Sequence, residues 1–321
     1  MKKEMLNKKY DFGTATVTGD DFIGKLALPY VAPAVKSPTT IANGFVRELD
    51  GLTKSAVVKV FTPGTMVESS SCDFNDGGGV VDITQKTLTI TDVQVNQQVC
   101  RKTIFPTWMA QNMKRNDNLP VDFTDFLVQT IAGKVGEEIE RDIWRGDSGL
   151  GITGFCSADG GATYGGALSG SNIEAIDTIT NSNVDDGFAT VYNSAVDNCA
   201  GILTAPGLGF YVSQKTYGMY LQFLTGLGSF GGFNNQMSNQ GINAATYLGI
   251  PIRVCPGLYD NSIILADKEN LVYGTNVGTD YTEARVIPTY QYDGSDNVRV
   301  TMHFAFGVQC AVPGDVVWGR N

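Results

Sequence analysis

The 321-residue chain is poor in the side chains that many enzymes and metalloproteins use. It has one histidine, His303, and its six cysteines include no C-x-x-C pair. Residue type and spacing therefore disfavour a zinc site or a redox dithiol. Charged residues make up only 17% of the chain, against about 25% in typical globular proteins. So few charges predict that much of the surface is covered by copies of the chain or by partners.

Two further classes of protein are disfavoured by what the chain lacks. No run approaches the roughly 20 apolar residues that span a bilayer, and the lysines of MKKEMLNKKYDFG are not followed by the apolar run of a secretory signal. The net charge of −10 is the opposite of the basic surface of a dedicated nucleic-acid binder. We therefore expect a soluble protein that folds in a cytoplasm and has no membrane partner.

No motif in the chain predicts catalysis. GDSG at 146–149 is similar to the nucleophile segment of trypsin-like proteases, but those enzymes need a histidine before the serine and His303 lies far after it. NDGGG at 75–79 lacks the Lys-Ser/Thr of a phosphate loop. We predict that GDSG is a turn that ends a helix, that the protein is not an enzyme, and that it has no cofactor and no metal ligand. Most cysteines are interpreted as small buried apolar side chains, with pairing left open.

The first 53 residues are predicted to form an extended N-terminal arm. Pro29, Pro33 and Pro38 punctuate LALPYVAPAVKSP, and each proline disfavours helix at the residue before it. Such a segment suits an arm laid along other structure better than a compact unit. Within it, IANGFVRELDGL from Ile41 to Leu52 is interpreted as a short helix.

Residues 54–91 are predicted to form a long β-hairpin. SAVVKVFTP and KTLTIT have strand composition, and Leu88 and Ile90 alternate with threonines in the second strand. The polar, glycine-rich stretch between the strands has Asn75-Asp76-Gly77 as its turn chemistry. A lone hairpin is marginally stable, so we predict that this one binds a neighbouring subunit. Its predicted contact residues are Phe61, Met66, Cys72, Phe74, Asp76 and Gly77.

Residues 122–145 are the clearest helix in the sequence. Pro120 precedes the segment, Asp122 is its predicted cap and Gly146 its predicted end. Roughly two dozen residues at about 1.5 Å each give a rod of about 36 Å. The apolar face of the rod recurs at every fourth residue: Phe123, Leu127, Ile131, Val135, Ile139 and Ile143.

Other residues of this helix carry separate predictions. Glycine weakens a helix, so Gly133 and Gly136 are predicted to permit the close approach of another segment. The charged residues are predicted to face away from the apolar face. They are Glu137, Glu138, Glu140 and Arg141.

The second half of the chain alternates helices, strands and loops. DGFATVYNSAVDNC from Asp186 predicts an amphipathic helix, GFYVS a buried strand, and Ser213 the cap of a second helix that runs to Leu224. Residues 226–243 are rich in glycine and asparagine and are predicted to form a loop at a contact surface. The predicted contact residues of this loop are Phe230, Phe233 and Asn234.

The last long strand has the strongest period-2 pattern in the chain. It begins at Val298, and its apolar residues alternate with a second set that includes His303, Ala305 and Gly307. The predicted buried residues of this strand are Val298, Val300, Met302, Phe304, Phe306 and Val308.

Taken in this order, the elements resemble the major capsid proteins of tailed bacteriophages, which share the Hong Kong 97-like fold. IWRGDSGLGITGF is similar to the family's frequent segment in which a helix is followed by Gly-Asp and a glycine-rich turn. YLGIPIRVCPGLYDNSIILADKENLVYG resembles two successive strands of the family, and NVRVTMHFAFGVQCAVPGDVV resembles its closing strands. The likeness rests on the order of these motifs along nearly the whole chain.

The resemblance implies an α+β fold with an N-terminal arm, an extended hairpin loop, a peripheral domain and an axial domain. The expected arm is 1–53 and the expected hairpin loop is 54–91. The peripheral domain is expected to comprise 92–155 and 281–303, with the spine helix at 122–145. The axial domain is expected to comprise 156–280 and 304–321.

The resemblance also implies a function. The chain is expected to be a major capsid protein whose copies form hexamers and pentamers of an icosahedral or prolate shell around double-stranded DNA. Assembly is expected in the cytoplasm of a bacterial host, with scaffold, portal and decoration proteins as further partners. DNA contact is expected to be weak and non-specific, because the chain is acidic.

Some relatives crosslink through a lysine of the hairpin. No lysine lies between Val60 and Gln85, so no such crosslink is expected at the hairpin tip. Cys72 is expected there as a free thiol or as half of an intersubunit disulfide.

Two other functions fit part of the sequence. An encapsulin-type nanocompartment shell protein has the same fold, but it usually has a shorter hairpin and a helical start, whereas this start is punctuated by prolines. A β-rich adhesin fits the content of glycine, asparagine and threonine. The missing secretory signal and the long helix at 122–145 count against the adhesin.

Overall fold

The computed structural model describes residues 20–23, 31, 34–63, 81–100, 121–157, 166–226, 245–277, 279, 283–289, 292 and 294–321. The helices within these ranges are α1 (Thr39–Ala42), α2 (Val121–Arg145), α3 (Val184–Cys199) and α4 (Gln214–Gly226), with two 3-10 turns at Ala200–Thr204 and Pro313–Asp315. The strands are β1 (Asp20–Ile23), β2 (Arg47–Leu49), β3 (Ser55–Pro63), β4 (Val81–Thr89), β5 (Thr91–Cys100), β6 (Asn172–Ala175), β7 (Leu208–Val212), β8 (Thr246–Tyr247), β9 (Ile250–Val254), β10 (Ser262–Asp267), β11 (Leu271–Thr275), β12 (Glu283–Pro288), β13 (Asn297–Cys310) and β14 (Val317–Arg320).

The first six-stranded sheet is organised around β13. Strand β5 pairs with one side of β13. On the other side, β12 pairs with the first half of β13 and β11 with the second half, followed outward by β1 and β2. All of these pairs are antiparallel except β2 with β11, which is parallel. One core contains side chains of this sheet and of α2.

The predicted alternation of β13 is confirmed. Every residue assigned to its apolar face is buried. The alternating residues on the other face of β13 were not predicted to be buried. After His303 this is wrong, because Ala305 is fully buried. Close packing is also evident at Gly307, where an added Cβ would collide with the Thr89 carbonyl oxygen, so the end of β4 lies directly against this face.

The second six-stranded sheet has the order β6-β14-β10-β7-β9-β8. Helix α3 packs on it, and α4 packs against α3. Phe188 of α3 lies at the centre of an aromatic cluster, with its ring 5.1 Å from those of Phe210 and Tyr220 and 5.2 Å from that of Tyr247. The strands β7, β10 and β14 also contribute Tyr211, Ile264 and Trp318 to the core that contains α2. The two sheets therefore share a continuous apolar interior.

Strands β3 and β4 form a separate two-stranded sheet. This confirms the predicted pairing of two strands in a hairpin, but the second strand is Val81–Thr89 and not 86–91, because Thr91 belongs to β5 and pairs with β13. The predicted helices at 122–145, 186–199 and after Ser213 are confirmed as well. Ser213 Oγ accepts a hydrogen bond from the Thr216 backbone N–H at 3.2 Å, as an N-cap does. Asp122 is not a cap, because α2 already includes Val121.

The predicted helix from Ile41 to Leu52 is wrong in its bounds. The helix is the short α1, and residues 47–49 form β2 instead. The parallel pairing with Leu271–Thr275 supplies hydrogen bonds that a helix would otherwise have made internally. This long-range partner is invisible in the local sequence. The division into peripheral and axial domains stays a prediction, although β13 runs without interruption across residues 303 and 304.

Candidate assembly surfaces

The two faces of the β3–β4 hairpin differ in exposure. The strands pair from Ser55 opposite Thr89 to Pro63 opposite Val81. Because side chains alternate between faces, Val57 and Ile83 lie on one face, where they are 53% and 58% exposed. Val58 and Leu88 lie on the other face, where Val58 is half-buried and Leu88 is fully buried. The base of the hairpin thus packs with one face against the rest of the chain, whereas the other face presents exposed apolar side chains.

A pair of glycines anchors the base of the hairpin. Gly274 of β11 stands opposite Gly307 of β13 in the first sheet. A Cβ on Gly274 would lie 2.6 Å from Cδ2 of Leu88, and a Cβ on Gly307 would collide with the Thr89 carbonyl oxygen. The two missing side chains therefore form a slot that holds the end of β4. The slot ties the hairpin to the central strand of the first sheet.

Helix α2 buries its apolar face in its own subunit. Gly146 follows the helix with φ +70°, the left-handed conformation that ends helices, so the predicted end is confirmed. Ile131 is half-buried. The remaining predicted core residues whose side chains the structure describes are buried: Leu127, Val135, Ile139 and Ile143.

Residues 34–50, here called the strap, are held against both sheets. Val35, Ile41 and Val46 are buried in the core that contains α2. The Tyr211 hydroxyl of β7 donates to the Phe45 carbonyl oxygen at 2.7 Å. With β2 paired to β11, this part of the predicted arm belongs to the folded body of its own subunit.

A buried carboxylate joins the strap to α2. Glu140, which is 4% exposed, accepts hydrogen bonds from the Thr40 backbone N–H at 2.9 Å and from the Thr40 hydroxyl at 2.6 Å. The Trp144 indole N–H donates to the same hydroxyl at 2.9 Å. The prediction that Glu140 faces away from the core is therefore wrong. Its position four residues before Trp144 is the signal that could have placed it on the inner face.

The two glycines of α2 differ. A Cβ on Gly136 would collide with Ser37 Oγ, so the predicted close approach is confirmed there, and the approaching segment is the strap. At Gly133 no described atom lies within 4 Å of such a Cβ, so no described segment approaches it. Both glycines line an open groove of about 600 Å³ beside α2, together with Glu137, Arg141 and Pro256.

The GDSG segment forms a turn, as predicted. Asp147 Oδ1 accepts hydrogen bonds from the backbone N–H groups of Gly149 at 2.8 Å and Leu150 at 3.3 Å. Asp147 also pairs with Ile152 in an isolated antiparallel bridge. The Asp147 side chain therefore hydrogen-bonds to the backbone of its own turn. The geometry is that of a turn at the end of a helix.

The described cysteines are free thiols, and the prediction of buried apolar side chains is confirmed for four of them. Burial raises the pKa of Cys310 to about 12. Burial also raises the pKa of Cys255, and the nearby Glu140 carboxylate adds to the effect. A thiol with a raised pKa is mostly protonated at neutral pH and reacts slowly. The four buried cysteines are Cys156, Cys199, Cys255 and Cys310.

Most of the predicted contact residues lie outside the described residues. Within the hairpin, Phe61 lies in β3 opposite Ile83, and Phe123 lies in the first turn of α2. Exposed Val57 and Ile83 were absent from the predicted contacts, although their alternation along a two-stranded hairpin could have indicated them. The predicted contacts outside the described residues are Met66, Cys72, Phe74, Asp76, Gly77, Phe230, Phe233 and Asn234.

Within the described ranges, no three histidine, cysteine, aspartate or glutamate side chains converge as a metal site requires. Among the helices that the structure describes, none combines the length and apolarity needed to cross a bilayer.

No protein-family model matches the chain, and no curated protein matches it. Solved structures match most of its length. A structure from Gordonia phage Cozz matches with a TM-score of 0.56 at 13% identity, over 88% of this chain and 86% of the other. The capsid of a native GTA particle matches with a TM-score of 0.54 at 13% identity, over 90% of each chain. The capsid of the Myoviridae phage XM1 matches with a TM-score of 0.52 at 13% identity, over 88% and 92%.

These matches establish the architecture. The chain has the α+β fold of a phage major capsid protein, which confirms the resemblance found in the order of its sequence motifs.

Proposed function

We propose that this chain is the major capsid protein of a tailed phage, whose copies form hexamers and pentamers of a shell around double-stranded DNA. The observation that carries the proposal is the β3–β4 hairpin, which is anchored at its base and exposes Val57 and Ile83 on its free face. The likeness to the capsids of phage XM1 and of the GTA particle supports it.

The hairpin is built to reach a second subunit. Nine residues in each strand, at about 3.3 Å per residue, extend about 30 Å. A two-stranded sheet is marginal by itself, so a face with exposed Val57 and Ile83 gains stability when a neighbour covers it. The glycine slot at Gly274 and Gly307 fixes where the hairpin leaves the subunit. Contacts between different surfaces of identical copies close into rings.

The elements of the subunit body are bonded to one another, which suits a shell-forming role. The strap links α2 to the second sheet through Glu140 and Tyr211 and to the first sheet through the pairing of β2 with β11, so the elements that carry the hairpin are tied together. Many modest contacts between rigid copies then add up to a stable particle. The proposed partners are copies of the chain itself, with scaffold, portal and decoration proteins. A net charge of −10 suits an inner wall that holds DNA only weakly. No residue has a catalytic role in this proposal.

The hairpin offers a direct test. Pro63 and Val81 face each other in the β3–β4 register, so an Asn-Gly turn can replace residues 64–80 and close the hairpin as a two-residue loop. We expect this variant to yield folded subunits that form no shells when it is expressed with the neighbouring genes. Circular dichroism reports folding, and sedimentation with negative-stain microscopy reports particles.

A control separates length from sequence. A Gly/Ser segment as long as 64–80 keeps the reach of the hairpin but removes its contact residues, and we also expect it to abolish shells. Normal shells from the Asn-Gly variant would contradict the proposed role of the hairpin. A wild-type chain that stays monomeric under every co-expression condition would contradict the capsid function itself. Shells that hold proteins and no DNA would favour the nanocompartment alternative.

A further inference from the structure

Leu248 has an unfavourable backbone conformation for its residue type. Tyr247 and Ile250 pair directly across the β8–β9 hairpin, so Leu248 and Gly249 form its two-residue turn. Their φ angles are +48° and +83°. This turn favours Asn-Gly, because asparagine and glycine tolerate a positive φ. A bulky residue such as leucine rarely adopts it, since its Cβ crowds the following carbonyl oxygen.

A second residue shows what this conformation normally selects. Among the described residues, Asn261 is the other non-glycine residue with a positive φ, at +55°. Asparagine tolerates this conformation, and the Asn261 side chain accepts a hydrogen bond from the Ile179 backbone N–H at 3.2 Å. Leu248 makes no comparable use of its side chain, which is 67% exposed. In the isolated subunit, Leu248 therefore provides neither a favourable backbone conformation nor buried apolar surface.

The position of Leu248 indicates what would cover it. Strand β8 is an edge of the second sheet, and β6 is the opposite edge. Five strand spacings of about 4.8 Å place the two edges about 24 Å apart. A ring built head to tail from identical copies joins two different surfaces of each copy. The two edges of one sheet are two such surfaces.

The opposite edge carries an exposed apolar residue. Glu174 of β6 accepts a hydrogen bond from Ser194 of α3 at 2.7 Å, so Glu174 faces α3. Alternation turns Ile173 to the other face, where it is 41% exposed. Ile173 therefore lies on the opposite edge from Leu248 and is available to a second copy.

We propose that Leu248 at the β8–β9 turn of one copy packs against the β6 edge at Ile173 of the next copy in the ring. The inference rests on the proposed capsid function and names one contact of its hexamers and pentamers. A neighbour that covers Leu248 removes apolar surface from water, which compensates for the unfavourable turn. The turn is then tuned to the assembly and not to the free subunit.

Leu248→Asn provides an informative test, because the two effects of the change have opposite signs. Asparagine suits the turn, so the urea midpoint of the free subunit should rise. Assembly should be compared at the protein concentration at which half of the wild-type chain assembles. At that concentration the variant should give at least tenfold fewer rings and shells than the wild type. Val196→Asn is the control, because Val196 is exposed on α3 and has no role in the proposed contact. It should assemble as the wild type does.

A mixing experiment tests the pairing. Leu248→Asp places a charge on the β8–β9 turn, and Ile173→Asp places one on the β6 edge. Each variant alone should therefore form no rings. Mixed in equal amounts, they retain one intact contact between them, and native mass spectrometry should detect a species of twice the subunit mass that neither variant forms alone.

The outcomes separate this inference from the proposed function. Wild-type shells together with normal assembly of Leu248→Asn or of Ile173→Asp would refute the contact and leave the capsid function standing. A mixture without the two-subunit species, or loss of assembly in Val196→Asn, would also refute it. A wild-type chain that never assembles would contradict both.

Discussion

Helix α2 and the β3–β4 hairpin place their apolar side chains in opposite environments. Ile139 and Ile143 of the helix are almost fully buried in their own subunit, whereas Val57 and Ile83 of the hairpin are more than half exposed. Both elements have clear periodicity, so periodicity alone does not tell which apolar face serves the fold. Burial distinguishes the two faces, because an apolar face that the chain itself does not cover is available for assembly.

The largest expected loss of stability follows from a substitution in the buried face of α2. Ile143→Ala removes a fully buried side chain and should lower the free energy of unfolding by about 2–5 kcal/mol. Ile131→Ala on the same helix, at a half-buried position, should lower it by less than half as much. Urea unfolding followed by tryptophan fluorescence measures both. Equal losses would show that α2 is not packed as a one-sided helix.

The next effect concerns the buried carboxylate that ties the strap to α2. Glu140→Gln places an amide NH₂ against one of two donors, the N–H and hydroxyl of Thr40, and leaves a buried polar group unsatisfied. We expect a loss of about 1–3 kcal/mol. Glu137→Gln is the control, because the Glu137 side chain is 72% exposed, and it should change stability by less than about 0.5 kcal/mol. Urea unfolding of the two variants in parallel measures the difference. If both behave alike, Glu140 does not anchor the strap.

Substitutions of the two glycines in α2 should have smaller effects on stability, and the two effects should differ in direction. Gly133→Ala should stabilise the subunit by about 0.5–1 kcal/mol, because alanine favours helix and the position is open. Gly136→Ala should lose that gain, because Ser37 must move aside. Thermal unfolding distinguishes the two. Stabilisation by both changes would mean that the strap does not pack closely on α2.

The smallest expected effect on stability lies on the exposed side. Val57→Thr and Ile83→Thr keep β-branched side chains in the strands, so each should change the free energy of unfolding by less than about 0.5 kcal/mol. Shell yield should nevertheless fall, because the face that is proposed to meet a neighbour becomes polar. Parallel unfolding and sedimentation measurements check this. Full shell yield from the double variant would place the assembly contact elsewhere.

Much of the fold could be predicted because its signals are local. Helix α2 follows from fourfold spacing and an ending glycine, β13 from period-2 alternation, and the hairpin from two strand-like segments around a turn. Strand β2 could not be predicted, because its hydrogen bonds go to β11, more than 200 residues away along the chain. Glu140 was misplaced for the same reason, since its partner Thr40 lies 100 residues earlier.

The candidate contact surfaces divide in the same way. The sequence indicated the hairpin as an assembly element, because a lone hairpin lacks a core. It did not indicate the slot at Gly274 and Gly307, because two glycines become one feature only when β11 and β13 pair. Leu248 was not singled out either. Its positive φ arises from the pairing of β8 with β9, and a Leu-Gly dipeptide is a weak turn signal by itself.

The sequence by itself determined the order of elements, the amphipathic faces and the class of fold, since these depend on side-chain spacing along short segments. The tertiary structure decided which apolar faces are buried within the chain and which stay exposed. That decision depends on contacts between residues far apart in the chain, such as Thr40 with Glu140 and Thr89 with Gly307. Burial is a property of the whole packed molecule, so it cannot be read from any one segment.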